Sequence, residues 1–329
     1  MRRIMRKMPN LQTLLKNPSR SAQMQAVVDW LAVAAKDFTY ELKDTPQFAR
    51  RQQAKVYALW QSNLPEVPST RVSAPGIRGA PEVICDWIVP PNARKGALVY
   101  AHGGGWVMGD LASHGRLVRL LALKSGFPVL NVQYRLAPEH SYPEPLNDVR
   151  AAYRWLLASG HAEGGPVFIG GDSAGANLAL ATCLAEAEVG RKAPDGGLLF
   201  YGGFYGDMET PSAQALGDGF GLTQDWMKWY YKLYLADVEH SDPLAAPLQA
   251  SEANLAKLPP FYINAAGLDP LLCDSLDLAK RLDEAGTEFE LSVVEGVQHG
   301  FMIMDERLDV ATREIEAAAQ FLIKLAGKF

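Results

Sequence analysis

Apolar residues recur three or four positions apart in Ala22 to Asp37 (AQMQAVVDWLAVAAKD) and Pro46 to Gln61 (PQFARRQQAKVYALWQ), a spacing that lays them along one side of a helix. Two amphipathic helices are expected there, the second opening at Thr45-Pro46. Their patch of Trp30, Leu31, Leu59 and Trp60 must be covered, either by ordinary packing or as the underside of a lid over a pocket. From about Arg71 the texture changes to short β-type runs, Val83 to Val89 and Ala97 to Ala101. A helical stretch around Ser113 to Lys124, a strand Pro128 to Tyr134, a proline-rich loop, a helix Pro145 to Ser159 and a strand Pro166 to Ile169 follow. Strands alternating with helices at this spacing predict an α/β protein with a mostly parallel, doubly wound sheet covered on both faces.

The rhythm continues with a strand at Leu198 to Tyr201 and breaks between Asp207 and Pro247. There Phe220, Trp226, Trp229, Tyr230, Tyr231 and Tyr234 crowd together without β alternation, and Thr223 precedes a helix. This helical insertion is too short to own a core, so its apolar face must share one with the N-terminal helices or the sheet. Phe261 to Ala265 then reads as strand, Asp274 to Ala285 as helix, Glu288 to Val294 as strand and Leu308 to Leu325 as a closing amphipathic helix. The expected division is an N-terminal helical segment over 1–70, a core over 71–206 and 248–329, and a helical insertion over 207–247.

Composition narrows the function classes. With 329 residues, 48% of them hydrophobic, the chain can bury one large α/β core. A formal net charge of −5 leaves no strongly basic surface for nucleic acid. Cys85, Cys183 and Cys273 are too few and too scattered for a disulfide framework or a zinc site, which fits a reducing, cytoplasmic setting. The basic start (Arg2, Arg3, Arg6, Lys7, Lys16, Arg20) lacks the apolar stretch of a secretory signal, since Leu11 to Leu15 is short and polar. Nothing approaches the apolar length needed to cross a bilayer.

The candidate chemistry centres on GGDSAGANLAL, residues 170 to 180. In Gly171-Asp172-Ser173-Ala174-Gly175 a strand turns into a helix so sharply that only glycine leaves room on either side, and the serine hydroxyl stands at the tip. A serine needs a base, usually histidine. Of His102, His114, His140, His161, His240 and His299, only His299 is both late in the chain and just past a predicted strand, where α/β sheets gather catalytic groups. The imidazole in turn needs an acid to fix its tautomer. Asp269 lies nearest the end of the strand Phe261 to Ala265 and is the first choice; Asp274 is second, because a helix cap would explain it. Backbone donors for an oxyanion are offered by Gly103-Gly104-Gly105, whose N–H groups no side chain shields, and by Ala174 at a helix start. A phosphate-cradling role for that glycine run is disfavoured, because neither G-x-x-x-x-G-K-[ST] nor G-x-G-x-x-G is present.

HGGGW, YRLAPEH, GDSAG, LDPLLCD and HGF occur in this order from about Ala97 to the C-terminus. Together they resemble the bacterial hormone-sensitive lipase family of α/β-hydrolase-fold carboxylesterases, in its GDSAG branch. The resemblance implies a triad of Ser173, Asp269 and His299, with oxyanion donors from Gly103, Gly104 and Ala174. It also implies a helical cap, a small-molecule ester substrate of short to medium acyl length, no metal or organic cofactor, and a homodimer through the edge strand Glu288 to Val294. The chain departs from the family's common GDSAGG at Ala176, a methyl that could tighten the elbow helix, and Gln298 and the unusual Asn264 are expected to adjust the surroundings of His299 and Asp269. Arg135 and Glu139 are expected to brace loops, Asp148 to be a polar helix residue, Asp172 to orient a neighbouring loop and His102 to organise the oxyanion loop. A second reading is a small-molecule receptor on the same scaffold, as in plant hormone receptors that resemble this family but have lost the base; the presence of His299 argues against it.

Overall fold

The computed structural model describes residues 9–236, 238 and 241–329; the basic positions Arg2, Arg3, Arg6 and Lys7, and His240, lie outside them. Three helices come first: α1 (Leu11–Lys16), α2 (Ala22–Ala34) and α3 (Pro46–Ala58). Each is opened by a side-chain cap, with Asn10, Ser21 and Thr45 accepting from Thr13, Met24 and Phe48 N–H, and Pro46 sits at the first turn of α3, where its missing N–H costs nothing.

The sheet follows as β1 (Ser69–Ala74), β2 (Val83–Ile88), β3 (Ala97–Ala101), α4 (Gly115–Ser125), β4 (Val129–Val132), α5 (Glu144–Ala158), β5 (Val167–Asp172), α6 (Ala174–Glu188) and β6 (Gly197–Phe200). The insertion contributes α7 (Pro211–Leu216) and α8 (Gln224–Leu235), and α9 (Glu252–Leu255) leads to β7 (Phe261–Leu268), α10 (Leu272–Ala285), β8 (Phe289–Gln298) and α11 (Asp309–Ala326). The strands lie in the order β1-β2-β4-β3-β5-β6-β7-β8. From β4 to β8 all neighbours are parallel, whereas β1 and β2 pair antiparallel with each other and β2 with β4. β1 was not expected as a separate strand. Its sequence, STRVSA, is mostly exposed and polar because it is an edge strand, paired on one side only.

Strand alternation sorts the core into two layers. Leu98 and Tyr100 of β3 belong to the layer that takes in α4 and α11, while Val99 and Ala101 belong to the one that takes in α5, α6 and α10. The exposed-looking tryptophans of the N-terminal helices prove to be packing residues. Trp60 is 2% exposed, its ring meets Trp30 edge-on at 4.9 Å, and the Arg307 guanidinium lies 3.9 Å over the Trp30 ring. Burying one such side chain stabilises the fold by roughly 3 kcal/mol. The insertion shares its core as expected: Trp106 stacks on Tyr234 at 4.4 Å and meets Tyr231 at 4.9 Å, and Trp226 meets Tyr40 at 5.0 Å.

α3 is tied to the loops that follow β3 and β4 by one side chain. Arg50 donates to the carbonyl oxygens of Val107 and Ala137, each at 2.6 Å, and pairs with Glu139, whose carboxyl it holds down to about 2. Among the described residues no helix is long and apolar enough to cross a membrane, and Cys85, Cys183 and Cys273 are unpaired and buried.

Candidate active site

Ser173 sits between the last residue of β5 and the first of α6 with φ 54° and ψ −120°, a strained conformation for a residue with a side chain. The turn is possible because its flanks are bare. A Cβ on Gly171 would lie 2.5 Å from the Ala101 carbonyl oxygen, and one on Gly175 would lie 2.0 Å from the same atom. Ser173 N–H donates to Phe200 O at 2.8 Å, which fixes the elbow against β6. Ala176 is fully buried one residue beyond Gly175, so its methyl is part of the α6 packing face.

β7 and β8 run parallel to β5, so the turns after all three strands meet at one end of the sheet. Asp269 follows β7 directly and is fully buried; its Oδ1 accepts from Leu271 N–H at 2.9 Å. His299 follows β8. Its Nδ1 lies 2.7 Å from Asp269 Oδ2 and its Nε2 2.9 Å from Ser173 Oγ. A carboxylate only accepts, so Nδ1 carries the proton and Nε2 is left free to accept from the serine hydroxyl. Such a chain can move a proton off the hydroxyl and stabilise the imidazolium that results. The edge-on Tyr201 ring, 4.9 Å away, packs against the imidazole.

Asp274 lies elsewhere than expected. It does not cap α10, which starts at Leu272; it is buried in the first turn, and its Oδ2 accepts from Phe204 and Tyr205 N–H at 2.6 and 2.9 Å. Burial pushes its carboxyl up to about 7, against the lowering effect of those two N–H groups. Asp274 therefore shapes the loop after β6 and makes no contact with His299 among the described hydrogen bonds.

The glycine run requires one correction. Gly103 N–H donates to Asp172 Oδ1 at 3.0 Å, so it is committed away from any oxyanion. The N–H groups of Gly104 and Gly105, in contrast, meet no acceptor among the described residues, and Ala174 N–H belongs to the first turn of α6, where helical partners are lacking. Gly104 and Gly105 have φ 125° and 60°, and a Cβ on Gly105 would meet the Tyr230 ring at 2.4 Å. The aromatic helix α8 thus rests directly on this loop. The sequence shows three glycines but not which peptide is turned inward.

Other residues singled out in the sequence serve the scaffold. Arg135 donates to both oxygens of Asp148 at 2.8 Å, and Asp148 also accepts Arg135 N–H; this polar residue of α5 is 2% exposed and serves as a buried anchor. Asn264 turns its amide toward Met302 and Glu314, away from Asp269, and the Gln298 amide backs onto Gly221 of the insertion. His140 meets Glu144 at 2.6 Å, and His161 packs between Trp87 and Trp155. His102 is fully buried against Tyr134, with rings 4.3 Å apart, and burial together with the neighbouring His114 pushes it down to about 4. Its Nδ1–H donates to Gly103 O at 2.8 Å, so it braces the loop as a neutral ring. His114, Tyr100 and Arg50 went unassigned in the sequence, because their partners are 50 to 90 residues away. No cluster of three or more His, Cys, Asp or Glu among the described residues is arranged to hold a metal ion.

Comparison with known proteins gives the family and the fold. A family profile described as the α/β hydrolase fold matches residues 98–303. A carboxylic ester hydrolase of Mycobacterium tuberculosis is 38% identical over 219 residues, 62% of this chain and 57% of its own length. An ethyl acetate hydrolase of Pseudomonas putida is 35% identical over 242 residues, 70% of this chain and 75% of its own. Among solved structures, an ester hydrolase from the metagenome of Lake Arreo superposes with a TM-score of 0.86 at 28% identity, covering 94% of this chain and 99% of that one. A thermostable esterase from Pseudomonas putida matches with a TM-score of 0.86 at 26% identity, covering 94% and 98%. With an eight-stranded, mostly parallel sheet, a serine at the strand-to-helix elbow and relatives named as esterases throughout, the chain belongs to the hormone-sensitive lipase family of α/β-hydrolase-fold carboxylic ester hydrolases.

Proposed function

We propose that the protein is a serine carboxylesterase that hydrolyses short- to medium-chain esters through an acyl-enzyme intermediate. The observation that carries this reading is the continuous hydrogen-bonded chain from Asp269 through His299 to the hydroxyl of Ser173. Ser173 Oγ attacks the ester carbonyl as His299 Nε2 takes its proton. The tetrahedral oxyanion is received by the N–H groups of Gly104, Gly105 and Ala174, each donor contributing roughly 3 kcal/mol to the transition state. His299 then protonates the leaving alcohol, and water activated by the same imidazole releases the acid. Asp269 holds the ring in the required tautomer and orientation.

The N-terminal segment 1–70 and the insertion 207–247 form the cap that walls the pocket in this reading. Support comes from Tyr230 of α8 lying against Gly105 and from Arg50 of α3 binding the loop carbonyl of Val107. A cap pressed this closely on the oxyanion loop favours small acyl groups. In a nitrophenyl ester series, kcat/KM is expected to peak at short or medium acyl length, each fitted methylene being worth about 0.8 kcal/mol until the pocket ends. A preference for long-chain esters would contradict it.

Three buried, unpaired cysteines fit a reducing, cytoplasmic setting. β8 is the last strand of the sheet, and a second copy paired along it would make a homodimer. Light scattering at working concentration is expected to return the mass of a dimer, and a monomer mass would remove that interface.

A further inference from the structure

Asp172 ends β5 beside the nucleophile, yet it takes no part in the chain from Asp269 to Ser173. It is 3% exposed and both its oxygens accept hydrogen bonds. Oδ1 accepts from Gly103 N–H at 3.0 Å and from the Tyr100 hydroxyl at 2.9 Å, and Oδ2 accepts from His114 Nε2 at 3.1 Å. The other ring nitrogen of His114 lies 2.8 Å from Ser113 Oγ. That hydroxyl also lies 2.7 Å from Asp110 O. A carboxylate only accepts, so His114 Nε2 carries a proton and donates it to the buried carboxylate. Burial alone would raise the Asp172 carboxyl; the electrostatic pull of His114, with the hydrogen bonds from His114 and Tyr100, holds it below the usual range.

Gly103 is gripped on both sides. Its N–H is held by Asp172, and its carbonyl accepts from His102 Nδ1, while the His102 carbonyl accepts from the Tyr134 hydroxyl at 2.7 Å. A Cβ on Gly103 would lie 2.4 Å from Asp172 Oδ2, so the carboxylate reaches this peptide only because a glycine is there. The next two residues are glycines in left-handed conformations with no side chains of their own to anchor them. Their N–H directions follow from how the Gly103 peptide is set.

We propose that Asp172, ionised and hydrogen-bonded to His114, is a positioning residue for ester hydrolysis: it sets the Gly103 peptide so that Gly104 and Gly105 present their N–H groups to the oxyanion. This rests on the oxyanion role given to those glycines above. The charge matters because a carboxylate grips a backbone N–H about twice as strongly as a neutral acceptor does, and a displacement of about 1 Å in a catalytic group can cost on the order of 100-fold in rate.

The test compares Asp172→Asn and His114→Gln with the parent, using a nitrophenyl ester for steady-state kinetics and a fluorophosphonate for the rate of Ser173 modification. Asparagine keeps an oxygen for Gly103 N–H but no charge, so kcat is expected to fall about 10- to 100-fold, with KM within twofold. Phosphonylation, in which the phosphoryl oxygen takes the same oxyanion position as fluoride leaves, falls by the same factor. His114→Gln keeps one N–H donor to the carboxylate and loses less than Asp172→Asn does. The proposal is overturned if folded Asp172→Asn keeps kcat within twofold, if its loss lies in KM, or if phosphonylation stays at the parental rate while kcat falls. Should that variant not fold by circular dichroism, His114→Gln decides, with a joint fall of kcat and phosphonylation in support and parental values against. A parent that the fluorophosphonate does not modify at Ser173 would instead overturn the esterase mechanism itself, which keeps the two failures distinct.

Discussion

Replacing Ser173 by alanine is expected to lower kcat toward a short-chain nitrophenyl ester by at least about 10⁴-fold, since losing the nucleophile of a triad costs up to about 10⁶-fold. What survives is the contribution of backbone donors and binding, which need no hydroxyl. The fold should hold. Alanine fits the backbone of the elbow as well as serine does, because the tight approaches are made by Gly171 and Gly175, and the bond lost to His299 is worth about 1 kcal/mol. Kinetics with circular dichroism on the same sample check both halves. Activity above about one per cent of the parent would mean that another group attacks the ester.

The second large effect separates two carboxylates five residues apart. Asp269→Asn is expected to reduce kcat by about 10⁴-fold, because an amide facing Nδ1 favours the wrong tautomer while leaving the geometry intact. Asp274→Asn should cost far less, since Asp274 binds Phe204 and Tyr205 N–H groups through one oxygen that asparagine retains. The two also differ in stability. The Asp274 carboxyl is raised from an ordinary 3.8 to about 7 in the fold, so between these values the native state holds a proton that the unfolded chain has released. That contribution is fully present below the lower value and is lost as pH rises through the upper one. Asp274→Asn should therefore flatten the decline of the thermal midpoint between about pH 4 and pH 7. A strong loss of kcat in Asp274→Asn with mild loss in Asp269→Asn would reverse the assignment.

These two carboxylates also mark what could be read along the chain and what could not. Ser173, Asp269 and His299 each stand just past a strand, and parallel strands deliver their ends to one edge, so local pattern was enough to bring them together. The helices α2 and α3 followed from apolar spacing in the same way. Asp274 was legible as a residue near a helix start, but its partners at 204 and 205 lie about 70 positions away and carry no local mark. Gly103 shows the same limit. Three adjacent glycines are equivalent as letters, and only the arrival of the Asp172 side chain decides which N–H is consumed. β1 was missed because an edge strand with exposed serine, threonine and arginine lacks the apolar alternation that marks a buried one. His114 was passed over because its meaning depends on Asp172, 58 residues on.

The central claim is that Ser173, drawn to His299 Nε2 at 2.9 Å, is the atom that becomes acylated. Intact-protein mass spectrometry after treatment with a fluorophosphonate, followed by peptide mapping, tests it most directly. The account predicts a single phosphonyl adduct on the peptide carrying Ser173 in the parent, absent in Ser173→Ala and strongly slowed in Asp269→Asn. An unmodified parent, or an adduct on any other residue, would contradict it.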